Sequence, residues 1–174
     1  MALGYEILGG PGEDNALLVR IDSGQGIARL LFDCGEGCLA GLGLGEIQQI
    51  DHLLFSHLHM DHIGGFDSFF RATFNRADRL NRIWGPPRTI DILHHRFRGF
   101  LWNLHAGQPG AWQVADIHPE RIERAEFLAA DAFAAARPLP AEPRGPALLD
   151  EPGWSVEAMA LDHQTPSLAY LVRE

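Results

Sequence analysis

An apolar run that feeds directly into a crowd of histidines constrains this chain more than any other feature in it. Residues 51–65 read DHLLFSHLHMDHIGG. Leu53, Leu54 and Phe55 have the apolar continuity of a short strand buried on both faces. Within the next seven residues come His57, His59, Asp61 and His62, then Gly64 and Gly65. In an extended segment alternate side chains project to one side, so His57 and His59 can serve one divalent ion. Asp61 and His62 can then serve a second ion close by. Two ions roughly 3.5–4 Å apart can polarise a phosphoryl or acyl group and hold an attacking water between them. The glycines let the backbone turn tightly behind the cluster. The imidazole-rich set favours zinc, although manganese or iron can occupy such N/O sites.

The rest of the chain supplies a scaffold for that loop. GYEILGG reads as a strand ended by glycines, and NALLVRID and IARLLFDCG as a hairpin around SGQG. CLAGLGLGEIQQI is a weak helix because of its glycines. In FDSFFRATFNRAD, Phe66, Phe70 and Phe74 recur every fourth residue with Phe69 beside them, which predicts a helix with one apolar stripe. NRIWGPP predicts a strand, RTIDILHHRFRGFLWNL a helix, and WQVADIH and RIERAEFLAA strands. Residues 137–153 hold five prolines and predict an extended loop, and WSVEAMALDH and SLAYLVRE close the chain as strands. Strands interleaved with helices predict a layered α/β protein, and the hairpins predict a mixed rather than purely parallel sheet. The length of 174 residues predicts a single domain spanning 1–174.

Composition removes several function classes. At 46% apolar residues the chain can build a real core. All fourteen basic residues are arginine, so neither a Schiff-base lysine nor a P-loop lysine is available. A formal charge of −9 argues against a protein coated in nucleic acid, but not against a local basic patch. Cys34 and Cys38 are the only cysteines and read as small buried residues rather than a disulfide scaffold. No secretory leader and no apolar run of about 18 residues are visible. The expectation is a soluble cytoplasmic protein without a membrane partner.

HLHMDH resembles the H-x-H-x-D-H signature of the metallo-β-lactamase superfamily. LLFDCGEGC, IWGPP and LDHQTPSLAYLVRE are similar to further blocks of its ribonuclease Z branch, the tRNA 3′-processing endoribonucleases. The resemblance spans Gly4 to Glu174. It implies an αββα sandwich of which this chain supplies the N-terminal half to two-thirds. It also implies that His57, His59 and His163 ligate one zinc and that Asp61 and His62 ligate a second. Asp61 would be the proton acceptor for the attacking water, and Asp33 would orient the loop through hydrogen bonds. The sequence departs from the branch twice. LGGPGEDNALLVR lacks the proline-, lysine- and arginine-bearing loop that contacts tRNA. No aspartate or histidine follows His163, so the branch's bridging carboxylate and last imidazole have no candidate. A fragment of a longer protein, impaired as an isolated hydrolase, is therefore expected.

Between Arg71 and Arg98 seven arginines accompany only two acids, Asp78 and Asp91. Lying just after the cluster, they suggest a polyanion contact, with Arg76, Arg79 and Arg82 as candidate substrate-binding residues. Trp84 and Trp102 could stack on bases, but core packing is the simpler assignment. Taken together, the sequence suggests a metal-dependent endoribonuclease acting on RNA, specifically tRNA precursors, with a homodimer possible. The alternatives are a hydrolase of a small phosphodiester, thioester or lactone, and a non-catalytic metal-binding chain.

Overall fold

The computed structural model describes residues 2–174. Eight strands form one sheet in strict chain order: β1 (Ala2–Leu8), β2 (Ala16–Asp22), β3 (Ile27–Phe32), β4 (His52–Leu54), β5 (Asn81–Gly85), β6 (Ala111–Ile117), β7 (Arg121–Leu128) and β8 (Arg137–Pro143). β1 to β3 pair antiparallel, β3 to β6 parallel, and β6 to β8 antiparallel again. The change follows the connections. Hairpin turns join the antiparallel pairs, whereas each parallel pair needs a crossover. Those crossovers carry α1 (Leu44–Ile47), α2 (Met60–Ile63) with α3 (Phe66–Thr73), and α4 (Thr89–Phe97). A second sheet, ordered β11-β10-β9, is built from β9 (Leu149–Glu151), β10 (Trp154–Asp162) and β11 (Pro166–Arg173).

Strand alternation sorts the apolar residues into two cores. Leu18, Leu31, Leu53, Ile83 and Val114 face the helices, where they join Phe66, Phe69, Phe70, Phe97 and Trp112. Their neighbours Val19, Leu30, Leu54, Trp84 and Ala115 face Leu149, Val156 and Leu168 of the second sheet. The layers are therefore helices, large sheet and small sheet, a mixed α/β arrangement. The phenylalanine stripe is core, as its spacing predicts. Trp84 is buried too, and Trp102 packs against the same helix-side core, with neither presented for base stacking.

Three expectations need correction. The proline-rich stretch is not all loop. Residues 137–143 form β8 on the outer edge of the sheet, and Leu149–Glu151 form β9. Proline cannot donate to a ladder, but an edge strand has one side with no ladder to serve. The glycine-rich segment after Cys38 is turns with a single helical turn, α1, since Gly41, Gly43 and Gly45 carry no helix-stabilising side chain. The helix expected over residues 88–104 stops at Phe97.

β1 is an edge strand whose inner face is open. Leu3, Tyr5 and Ile7 pair with Ile21, Val19 and Leu17, share their side of the sheet, and are exposed. Among the described residues no helix is long and apolar enough to cross a membrane.

Candidate metal centre

The histidine cluster forms where parallel strands end. β3 stops at Phe32, and Asp33 takes a left-handed backbone (φ 58°) that turns the chain. β4 stops at Leu54, after which the chain bends at Ser56 and again at His59 before Met60 opens α2. The carboxyl ends of parallel strands are where open α/β sheets present their sites. His57 lies between those two bends and His59 at the second, while Asp61 and His62 sit in the single turn of α2. His163 arrives from the other sheet, in the turn between β10 and β11, beside Gln164 at φ 59°.

His57, His59 and His163 each offer a ring nitrogen, and the three nitrogens lie within 4.8 Å of one another. Tetrahedral zinc with bonds of about 2.0–2.1 Å would set its ligand nitrogens about 3.3 Å apart, so small side-chain rotations close the set. The ring centroid of His57 is 4.6 Å from that of His59, 5.0 Å from His163 and 3.9 Å from His62. His62 Nε2 in turn lies 3.4 Å from Asp61 Oδ2, which places the carboxylate–imidazole pair beside the three-histidine set. Burial, followed by the neighbouring rings of His62 and His59, holds His57 below the ordinary histidine range. That keeps it in the neutral form a metal needs. The donor set therefore suits a divalent ion of the zinc type.

One carboxylate organises this loop. Asp33 Oδ1 accepts the Ser56 N–H at 2.7 Å, and Oδ2 accepts the Ser56 hydroxyl at 2.7 Å and His62 Nδ1–H at 2.8 Å. The second sheet is fastened to the same spot. Leu168 N–H donates to Ser56 O at 2.8 Å, and the Tyr170 hydroxyl donates to Phe55 O at 2.8 Å. The strand that follows His163 is thus bonded to the strand that precedes His57. Sequence reasoning missed Ser56 and Tyr170. Their only visible signal was position, Ser56 at the strand exit and Tyr170 in the SLAY block.

The turn after β3 and the metal loop also meet through bare backbone. Cys34 N–H donates to His62 O at 2.8 Å, and Gly65 N–H donates to Cys34 O at 2.9 Å. A Cβ on Gly35 would come 2.7 Å from Asp61 O, and one on Gly65 would collide with Gly35 O. Cys34 and Cys38 are buried and free.

The candidate substrate arginines lie elsewhere. Arg76 is buried, and its guanidinium donates to Gln48 O at 2.7 Å and Ile50 O at 2.8 Å. Arg79 donates to Asp51 Oδ1 at 2.8 Å. Arg82 is exposed but pairs across the sheet with His52, at the entry of β4. Arg82 thus lies at the amino end of β4 and β5, whereas His57 follows the carboxyl end of β4. Sequence proximity misled here because α3 carries the chain away from the site and back to the amino ends of the parallel strands.

Comparison with known proteins bears on the family and the fold. The family described as "Anti-Pycsar protein Apyc1" matches residues 13–127. The chain is similar to ribonuclease Z of Deinococcus radiodurans, with 47% identity over 99% of this chain and 52% of that one. It is also similar to ribonuclease Z of Clostridium kluyveri, with 46% identity over 93% of this chain and 45% of that one. The chain spans about half the length of these curated relatives. Among solved structures, the fold is similar to the metallo-β-lactamase fold protein YhfI of Bacillus subtilis, with TM-score 0.59, 16% identity, and 98% of this chain against 57% of that one. Human tRNase Z, short form, gives TM-score 0.58 at 19% identity, covering 98% of this chain and 63% of that one. The chain is a ribonuclease Z relative with the metallo-β-lactamase fold, and it belongs to the family described by the anti-Pycsar protein Apyc1.

Proposed function

We propose that this chain carries the metal centre of a zinc-dependent hydrolase that cuts phosphodiester bonds in RNA, with tRNA precursors as the substrate its ribonuclease Z relatives suggest. The observation that carries the reading is the convergence of His57, His59 and His163 from two different sheets, with Asp61 and His62 alongside. In this reading the three histidines hold one ion, and Asp61 and His62 contribute to a second. Bound there, divalent metal supplies Lewis acidity and makes water a usable nucleophile near neutral pH. The remaining work falls to the chain. Asp33 and Ser56 fix the ring orientations. Asp61, exposed beside His62, takes the proton released by the attacking water.

A second reading, hydrolysis of a small phosphodiester, draws support from the surroundings. Arg76, Arg79 and Arg82 stand at the amino ends of β4 and β5, away from the histidines. Glu13, Asp14 and Glu36 line a recess beside the metal loop, where they would repel a polyanion.

The test is to measure bound zinc and turnover on bis-p-nitrophenyl phosphate and on a 3′-extended tRNA. His57→Ala and His163→Ala serve as controls. Zinc binding that depends on both histidines, with cleavage of the tRNA, supports the main reading. Cleavage of the small diester alone favours the second. Zinc binding indifferent to both histidines would overturn the metal centre.

A further inference from the structure

We propose that Ser56 is a positioning residue of the metal centre: its hydroxyl fixes the tautomer of His57, and its peptide couples that imidazole to the sheet that delivers His163. The inference deepens the metal-centre reading above and rests on it.

The argument is a count of protons. The Ser56 Oγ lies 2.7 Å from Asp33 Oδ2 and 3.1 Å from His57 Nδ1. A hydroxyl has one proton to give, and an ionised carboxylate can only accept. The Ser56 proton therefore points at Asp33, and only lone pairs remain for His57. For that contact to be a hydrogen bond, His57 Nδ1 must carry the ring proton, which leaves Nε2 bare as the ligand atom. The same carboxylate oxygen accepts from His62 Nδ1 at 2.8 Å, so His62 is set in the same sense. One hydroxyl and one carboxylate thus set the tautomers of two imidazoles assigned to different ions.

The peptide of Ser56 adds a second link. Its N–H is held by Asp33 Oδ1 at 2.7 Å, and its carbonyl accepts from Leu168 N–H at 2.8 Å. β11, on which Leu168 lies, begins at Pro166, three residues beyond His163. Rotation or displacement of Ser56 would disturb His57 directly and His163 through this strand.

The experiment uses the whole chain, labelled with ¹⁵N and free of metal. A long-range ¹H–¹⁵N correlation reads which imidazole nitrogen is protonated, with His57 assigned by comparison with H57Q. Wild type and S56T are expected to show His57 with Nδ1 protonated, and S56A a mixture. Zinc affinity, measured against a competing chelator, is expected to fall about 10- to 100-fold in S56A and to return in S56T. An S56A protein with unchanged tautomer and affinity would overturn the proposal. So would an S56T protein as impaired as S56A, since that would make the site one of packing. Should S56A fail to fold, S56C keeps the volume with a much weaker donor, and an unchanged tautomer there would also overturn it. Because the tautomer is read without metal, a wild-type chain that ignores zinc would sink the metal-centre reading while leaving this result distinguishable.

Discussion

His62 donates its Nδ1–H to Asp33 at 2.8 Å across 29 residues of chain, and this bond joins the turn after β3 to the histidine loop after β4. Replacing Asp33 with Asn keeps the shape but removes the charge. Zinc affinity is expected to fall about 10- to 100-fold, as for other residues that orient a metal-binding histidine. Chelator competition measures it. Wild-type affinity in Asp33→Asn would show that the bond is incidental.

Arg76 is a structural cation. Its guanidinium caps the carbonyls of Gln48 and Ile50, and burial lowers its pKa to about 10. Arg76→Ala leaves both carbonyls without that partner, so a loss of about 2–4 kcal/mol is expected in urea unfolding. The salt dependence of RNA binding should not change. A stable variant with a flattened salt slope would return Arg76 to the substrate.

Acid should weaken the fold through His52. This ring is buried and accepts the Trp84 Nε1–H at 2.9 Å. Burial, then the charge of Arg82, lowers its pKa to about 4. The unfolded chain titrates near 6.5, so between those values the unfolded state binds the additional proton. Stability from this group is complete above pH 6.5, declines as pH falls toward 4, and is exhausted below. The full loss is up to about 3 kcal/mol. His52→Gln retains an acceptor for Trp84 and should flatten that slope. Unfolding at pH 4.5 and pH 7 decides, and an identical slope in the variant would refute the assignment.

Tyr170→Phe should cost about 1–2 kcal/mol, because the Phe55 carbonyl loses its hydroxyl partner in a partly buried setting. Burial pushes the hydroxyl well above its usual pKa, so it stays a donor at any pH at which the protein is handled. Loosening β11 should also weaken zinc binding through His163. Unchanged affinity would mean that the second sheet does not help position that ligand.

The parts legible in the sequence are those that depend on near neighbours. The strand before His57, the Phe66–Phe70 stripe and the turn glycines obey local periodicity, and the structure has them where the pattern puts them. Arg76 was misjudged because its carbonyl partners lie 26 and 28 residues back, and charge counting sees no carbonyls. β8 was hidden because three prolines suppress every strand signal except an edge position, which is a property of the assembled sheet. Ser56 was passed over because a hydroxyl carries no information until Asp33 stands beside it.

A methyl group on Gly65 would run into the Gly35 carbonyl, and one on Gly35 would run into the Asp14 side chain, the Asp61 carbonyl and the Asn15 nitrogen. Because main-chain atoms stand among the obstacles at both positions, no change of side chain elsewhere can fully relieve them. In a library that randomises both positions together, selection for folded protein should return the glycine pair almost alone, while the surrounding loop accepts many residues. Cys34 N–H to His62 O and Gly65 N–H to Cys34 O clamp the two segments together, so the histidine loop cannot swing away from the Asp33 turn without giving up both bonds.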